Sequence, residues 1–144
     1  MVSSTDEYIL QILKSKNLSI TPCRLAILKL FSNKTAAISS SNIEESVKSG
    51  FDRVTIYRTL KSFLEIGIIH KIPDDNGEIK YALCREDHCP DHVHVHEHLH
   101  FKCIQCSETS CLAEIKVPKI NVPDCYTIMT TNILVQGICK NCSC

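Results

Sequence analysis

The 144-residue chain has no net formal charge, with 16 Lys or Arg against 16 Asp or Glu. No global field therefore announces a nucleic-acid or membrane partner. It also has no apolar run of about 20 residues, which excludes a conventional membrane-spanning helix. The start, MVSSTDEYILQILKSKN, lacks a basic segment followed by an apolar core and a cleavage site. The expectation is a cytoplasmic chain with no membrane partner. Cysteine is scarce at first, with Cys23 alone before residue 84, and then abundant: nine of the ten cysteines and six of the seven histidines fall in the last 61 residues. In a reducing compartment such a crowd of thiols points to metal rather than to disulfides. Charge divides only slightly, +2 over residues 1 to 83 (11 against 9) and −2 over 84 to 144 (5 against 7). A hydrophobic content of 44% is enough for a core in one domain or two small ones.

The first half reads as helices closed by a hairpin. STDEYILQILKSKN has a capping hydroxyl, early acids and Ile9, Ile12 and Leu13 at helical spacing. Thr21 caps a second helix with Pro22 at its first position, and Leu25, Ile27, Leu28 and Phe31 make its buried face. SSSNIEESVKSG gives a short capped helix, and DRVTIYRTLKSFLEIG gives another, capped by Asp52 and stopped at Gly67. IIHKIP and IKYALC then flank the turn DDNG. Helices followed by such a hairpin form a winged helix, whose recognition helix enters the DNA major groove. Here that helix spans 53 to 65, with Arg53, Thr55, Tyr57, Arg58 and Lys61 as candidate base or phosphate contacts. A solvated helix face explains the same residues equally well.

The polar stretch REDHCPDH separates the halves, so the expected organisation is a DNA-binding domain over 1–84, a hinge over 85–91 and a metal-binding domain over 92–144. In the second half Pro118 and Pro123 argue against a long helix, and CYTIMTTNILVQGIC reads as one long strand. HVHVHEHLHFKCIQC places a histidine at every second position from 92 to 100. A strand rises about 3.3 Å per residue, so no single ion reaches both ends of that run; pairs two apart, such as His98 and His100, share a face and can converge on one ion. Parity sets Cys103 on the other face, which predicts two separate sites. Cys103, Cys106, Cys139 and Cys142 form two Cys-x-x-Cys knuckles, the spacing of a structural zinc. A thioredoxin-like motif would place a knuckle at the start of a helix, and neither knuckle opens a helical pattern. A catalytic zinc or thiol site would need a nucleophile and an acid or base at an open metal position, and no such set is visible, so an enzyme is not expected.

Taken in order, TPCRLAILKLF, RVTIYRTLKSFLEIGII, KYAL, HLHFKCIQC and GICKNC resemble the ferric uptake regulator family over residues 8 to 142. The resemblance implies an α+β chain: an N-terminal winged helix and a small α/β dimerisation domain with an antiparallel sheet. It implies a homodimeric, metal-dependent repressor binding a palindromic operator in double-stranded DNA, with the four knuckle cysteines on a structural Zn2+. A peroxide-sensing regulator of the same family, or in another class a zinc/thiol redox protein, is the alternative.

The resemblance also implies a regulatory divalent ion, Fe2+ or Zn2+. Its ligands are the histidines matching His98 and His100 and the residue eight after the first knuckle cysteine, Cys111, where relatives often carry an acid. A thiolate there softens the site toward zinc. The family's sensory histidine of the first domain falls on Ala37, which cannot coordinate. Its hinge ligand falls near Ala82, leaving Cys84, His88, Cys89 or His92, with Cys89 and His92 preferred. The accessory site is depleted, since Thr131 and Pro118 stand where its ligands belong; His96 and Glu97 are what remains for it.

Overall fold

The structure, a computed structural model, describes residues 4–84, 98–129 and 131–144. It divides into two compact units, Met1–Cys84 and Arg85–Cys144. The expected hinge, 85–91, and the first residues of the expected second domain lie outside the described residues.

The first unit holds helices α1 (Ser4–Ser15), α2 (Pro22–Ser32), α3 (Ser40–Val47) and α4 (Arg53–Ile66) and strands β1 (Ile38–Ser39), β2 (Ile69–Pro73) and β3 (Ile79–Leu83). Local chemistry sets the helix ends. Thr21 Oγ1 accepts the Arg24 N–H, Ser39 Oγ accepts the Asn42 N–H, and Asp52 Oδ1 accepts the Thr55 N–H. Gly67 closes α4 at φ 80°, a left-handed conformation that suits glycine, and its N–H reaches the carbonyls of Phe63 and Leu64. The apolar stripes of all four helices meet: Ile9, Leu13, Ile27, Leu28, Ile43 and Phe63 are completely buried. Each such side chain contributes about 1.5–3 kcal/mol on leaving water, and this shared core fixes α4 against α2 and α3. The three strands form an antiparallel sheet in the order β1-β3-β2, with Ile69 opposite Leu83 and Pro73 opposite Ile79. At the hairpin tip the Gly77 N–H bonds Asp74 O at 3.1 Å, and Lys80 Nζ pairs with the largely buried Asp74 carboxylate at 3.1 Å. Helices, a hydrogen-bonded hairpin and a short third strand together make the winged helix expected from the sequence.

The second unit holds β4 (His98–Cys103), β5 (Thr109–Lys116), β6 (Ile133–Gly137) and the single-turn helix α5 (Lys140–Ser143). The order is β5-β4-β6. The expected antiparallel sheet is antiparallel between β4 and β5 but parallel between β4 and β6. β5 itself returns the chain to the start of β4, and the stretch 117–132 carries it from one edge of β4 to the other, where β6 runs parallel. That stretch also corrects a strand expectation: CYTIMTTNILVQGIC is a strand only over Ile133–Gly137. Cys125, the first residue of the expected strand, takes φ 71°, outside the extended range. Among the described residues this unit buries little apolar surface; Ile104, Ile115, Val135 and Ile138 remain exposed.

Candidate metal centres and nucleic-acid interface

The two knuckles, on separate stretches of chain, converge. The turn after β4 places Cys103 and Cys106, and the segment after β6 places Cys139 and Cys142. Their four sulfurs lie within 4.8 Å of one another. Parallel pairing does this, because β4 and β6 run side by side to the matched pair Cys103 and Gly137 and so end together. Ile104 N–H then bonds Gly137 O at 2.8 Å, locking the two exits. Cys106 Sγ stands 3.8 Å from Cys139 Sγ. Four sulfurs at about 2.3 Å from a tetrahedral zinc lie about 3.8 Å apart, so the donor set fits that ion in number, type and spacing.

The backbone is already arranged for thiolate. Cys103 Sγ accepts the N–H groups of Cys106 at 3.5 Å and Cys139 at 3.4 Å. These two bonds lower the Cys103 pKa to about 6. The charge they favour works against its neighbours. Cys142, beside the Cys139 sulfur and further disfavoured by burial, is pushed up to about 12. Cys106 is also raised: the Glu108 N–H favours its thiolate, but the Cys103 sulfur and burial outweigh it. Four adjacent thiols therefore do not all ionise unless a cation neutralises them.

One sequence expectation is corrected here. The second knuckle does open a helix, because Cys139 is the N-cap of α5 and its carbonyl takes the N–H groups of Cys142 and Ser143 at 3.0 and 2.8 Å. Four residues of helix are what a CKNC loop forms as it wraps its two sulfurs toward one point, and the first knuckle stands beside it. A thioredoxin-like pair lacks that second dithiol.

The histidine strand is a separate place. His100 lies in the middle strand and is 2% exposed. It pairs directly with Cys111 on β5, so the two side chains leave the same face of the sheet. A ring nitrogen of His100 and Cys111 Sγ lie within 4.8 Å of each other. An imidazole and a thiol thus stand together as two soft donors. His98 begins β4 opposite Lys116, and the pairing shifts between His98 and Leu99. The extra residues at that shift, 113–115, belong to β5. Cys89, His92 and His96 lie outside the described residues.

The winged-helix unit contains a donor pair of its own. His70 on β2 is 3% exposed, and its Nδ1 is 3.3 Å from Cys84 Sγ. Cys84 was among the sequence candidates; His70 was not. The available signal was a lone histidine inside the apolar run IIHKI, where a buried imidazole needs a partner.

On α4 the buried face is Ile56, Thr59, Leu60 and Phe63. Arg53, Tyr57, Arg58 and Lys61 lie on the exposed side. Thr55 differs from them: it is half-buried, and its hydroxyl donates to Asp52 Oδ2 at 2.9 Å. Those bonds from the Thr55 N–H and hydroxyl lower the Asp52 pKa below the usual carboxylate value. The Arg53 guanidinium lies 5.5 Å from the centre of the Tyr57 ring and its Nε is 3.6 Å from Glu44 Oε2 on α3. Lys61 Nζ is 3.9 Å from Glu65 Oε1, a loose pair between exposed groups. Arg58 borders an open cavity of about 380 Å3 shared with Thr21, Pro22, Cys23, Phe51, Thr55 and Thr59.

The model of the ferric uptake regulator family matches residues 15–135. The ferric uptake regulation protein of Neisseria meningitidis serogroup A is 29% identical over 140 residues, covering 90% of each chain. That of Staphylococcus epidermidis is 29% identical over 138 residues, covering 92% of each. A solved zinc uptake regulator complexed with zinc and DNA superposes with a TM-score of 0.67 at 22% identity, over 98% of this chain and 96% of that one; it establishes likeness of fold. With the family model covering most of the length, the chain belongs to the ferric uptake regulator family and is a metal-responsive transcriptional regulator.

Proposed function

We propose that the protein is a homodimeric, cytoplasmic repressor, not an enzyme, and that a divalent corepressor ion distinct from the four-cysteine zinc sets its affinity for a palindromic operator. The observation that carries this reading is the pairing of buried His100 with partly buried Cys111, two metal donors on one face of the sheet and outside the knuckle cluster. His98 joins them in the regulatory set. The remaining donor is Cys89 or His92, as the sequence suggests. His96 is the candidate for an accessory site. Thiolate and imidazole donors favour Zn2+, with Fe2+ the next choice. The ion would supply positive charge that holds thiolate and imidazole ligands in one arrangement.

On the DNA side, Arg53, Tyr57, Arg58 and Lys61 are assigned to the major groove or its phosphates, and Thr55 donates to Asp52, the N-cap of the helix that carries them. A second copy of the chain would cover Ile115, Val135 and Ile138, which stand exposed on the second unit. Equilibrium dialysis with Zn2+ tests the ligand assignment. The parent should bind two ions per chain or more, and His100→Ala with Cys111→Ser should lose one while retaining the knuckle zinc. Unchanged stoichiometry and affinity in the double variant would remove this pair from the regulatory site.

A further inference from the structure

Arg53, the first residue of α4, is held from two sides. Its guanidinium lies over the ring of Tyr57, one turn along the same helix, with 5.5 Å to the ring centre. From α3, Glu44 brings Oε2 to 3.6 Å from Nε. The Arg53 side chain is 72% exposed and that of Glu44 31%. An exposed ion pair of this length adds little to fold stability, so the arrangement is poorly explained as a structural tie.

Its geometry suits recognition. A carboxylate at Nε occupies one edge of the guanidinium, and an aromatic ring beneath it restrains the plane. The opposite edge, with its two terminal nitrogens, is the one that makes parallel hydrogen bonds to guanine O6 and N7. An arginine restrained before binding loses less conformational freedom when it docks.

We propose that Glu44 is a positioning residue for sequence reading, presenting Arg53 at the leading end of α4 as a guanine reader. The inference rests on α4 being the recognition helix. Glu44 itself touches no base; it acts through Arg53. A repulsive role, in which Glu44 merely keeps phosphates away, makes the opposite prediction, since neutralising it would then strengthen binding to every duplex alike.

The test uses the zinc-loaded full chain with corepressor metal and a pool of duplexes randomised across the operator length, the retained sequences being read out. The parent should enrich guanine at one position of each half-site. Arg53→Lys should lose that preference by about fivefold or more. Glu44→Gln should lose it at the same position by about threefold, with unchanged affinity and salt slope on a fixed duplex of unrelated sequence. Should Glu44→Gln melt early, Glu44→Ala reports the same contrast. An intact guanine preference in the Glu44 variants, or a uniform change in affinity across all duplexes, overturns the assignment. Arg58→Ala separates this outcome from failure of the underlying reading: if it binds pool and fixed duplex as the parent does, α4 is not the recognition helix at all.

Discussion

Cys106 and Cys139 hold their sulfurs 3.8 Å apart although they stand 33 positions apart in the chain. That closeness comes from the parallel pairing of β4 with β6, which brings both knuckles to one end of the sheet. Among the described residues few apolar side chains of this unit are buried, so a zinc there would be the main cross-link of its fold. Structural zinc of this kind supplies about 10 kcal/mol or more of apparent binding energy. Cys103→Ser should therefore lose about one zinc per chain and the cooperative melting of the second unit, while the winged helix still unfolds as its own transition. Metal analysis alongside two-wavelength thermal melting checks this.

Protons compete with the metal for the same sulfurs. Cys103, lowered to about 6, is thiolate at neutral pH in the metal-free protein, whereas Cys106 and Cys142 are raised. Above about pH 6 an incoming ion displaces no proton from Cys103; below it, one more must leave. The plot of log affinity against pH should rise throughout and be steeper by about one proton below pH 6. The sign follows from depression of the Cys103 pKa: its thiolate is present at high pH and lost as pH falls through the folded value. Competition with a chromophoric chelator between pH 5 and 8 reads both slopes.

Gly137 ends β6 against Phe101. A Cβ at that position would stand 2.9 Å from Phe101 Cζ and 3.2 Å from Cε2. The ring must move or the strands must part, a cost of about 1–3 kcal/mol. Because the Gly137 carbonyl also holds Ile104 beside the first knuckle, Gly137→Ala should weaken zinc retention as well as stability. Dissociation of zinc into excess chelator should be faster than in the parent, and the first unit's melting should not change.

Tyr57 and Arg58 project from α4, and each should matter more for DNA than any wing residue. Tyr57→Ala or Arg58→Ala should cost about 1–3 kcal/mol of discrimination where the side chain reads a base. Loss of a phosphate contact from Arg58 would instead lower the salt slope by about one. Gel-shift titrations across a salt series separate the two.

The parts of the fold written locally were legible in sequence. Thr21, Asp52 and Gly67 mark helix ends through bonds to residues no more than four positions away, and the DDNG turn is equally short-range. The four-cysteine cluster was legible too, because ligand type and spacing state it without reference to strand direction. What failed was long-range or irregular. The pairing of β6 with β4 depends on a 16-residue connection from one edge of β4 to the other, a path no periodicity encodes, and the strand that composition favoured from Cys125 forms only over Ile133–Gly137. His70 escaped notice because its partner, Cys84, lies across the hairpin, 14 residues away.

The central claim is that a second metal, held through His100 and Cys111, controls DNA binding by a protein already carrying its structural zinc. Fluorescence anisotropy of a labelled duplex selected from a random pool, titrated with Zn2+ or Fe2+ at fixed zinc-loaded protein, tests it most directly. The parent should gain affinity about tenfold or more as metal rises, in the range of ordinary allosteric coupling. His100→Ala with Cys111→Ser should stay folded, keep its knuckle zinc and bind weakly at every metal concentration. A double variant that responds to metal as the parent does, or a parent whose DNA binding ignores metal, would contradict the account.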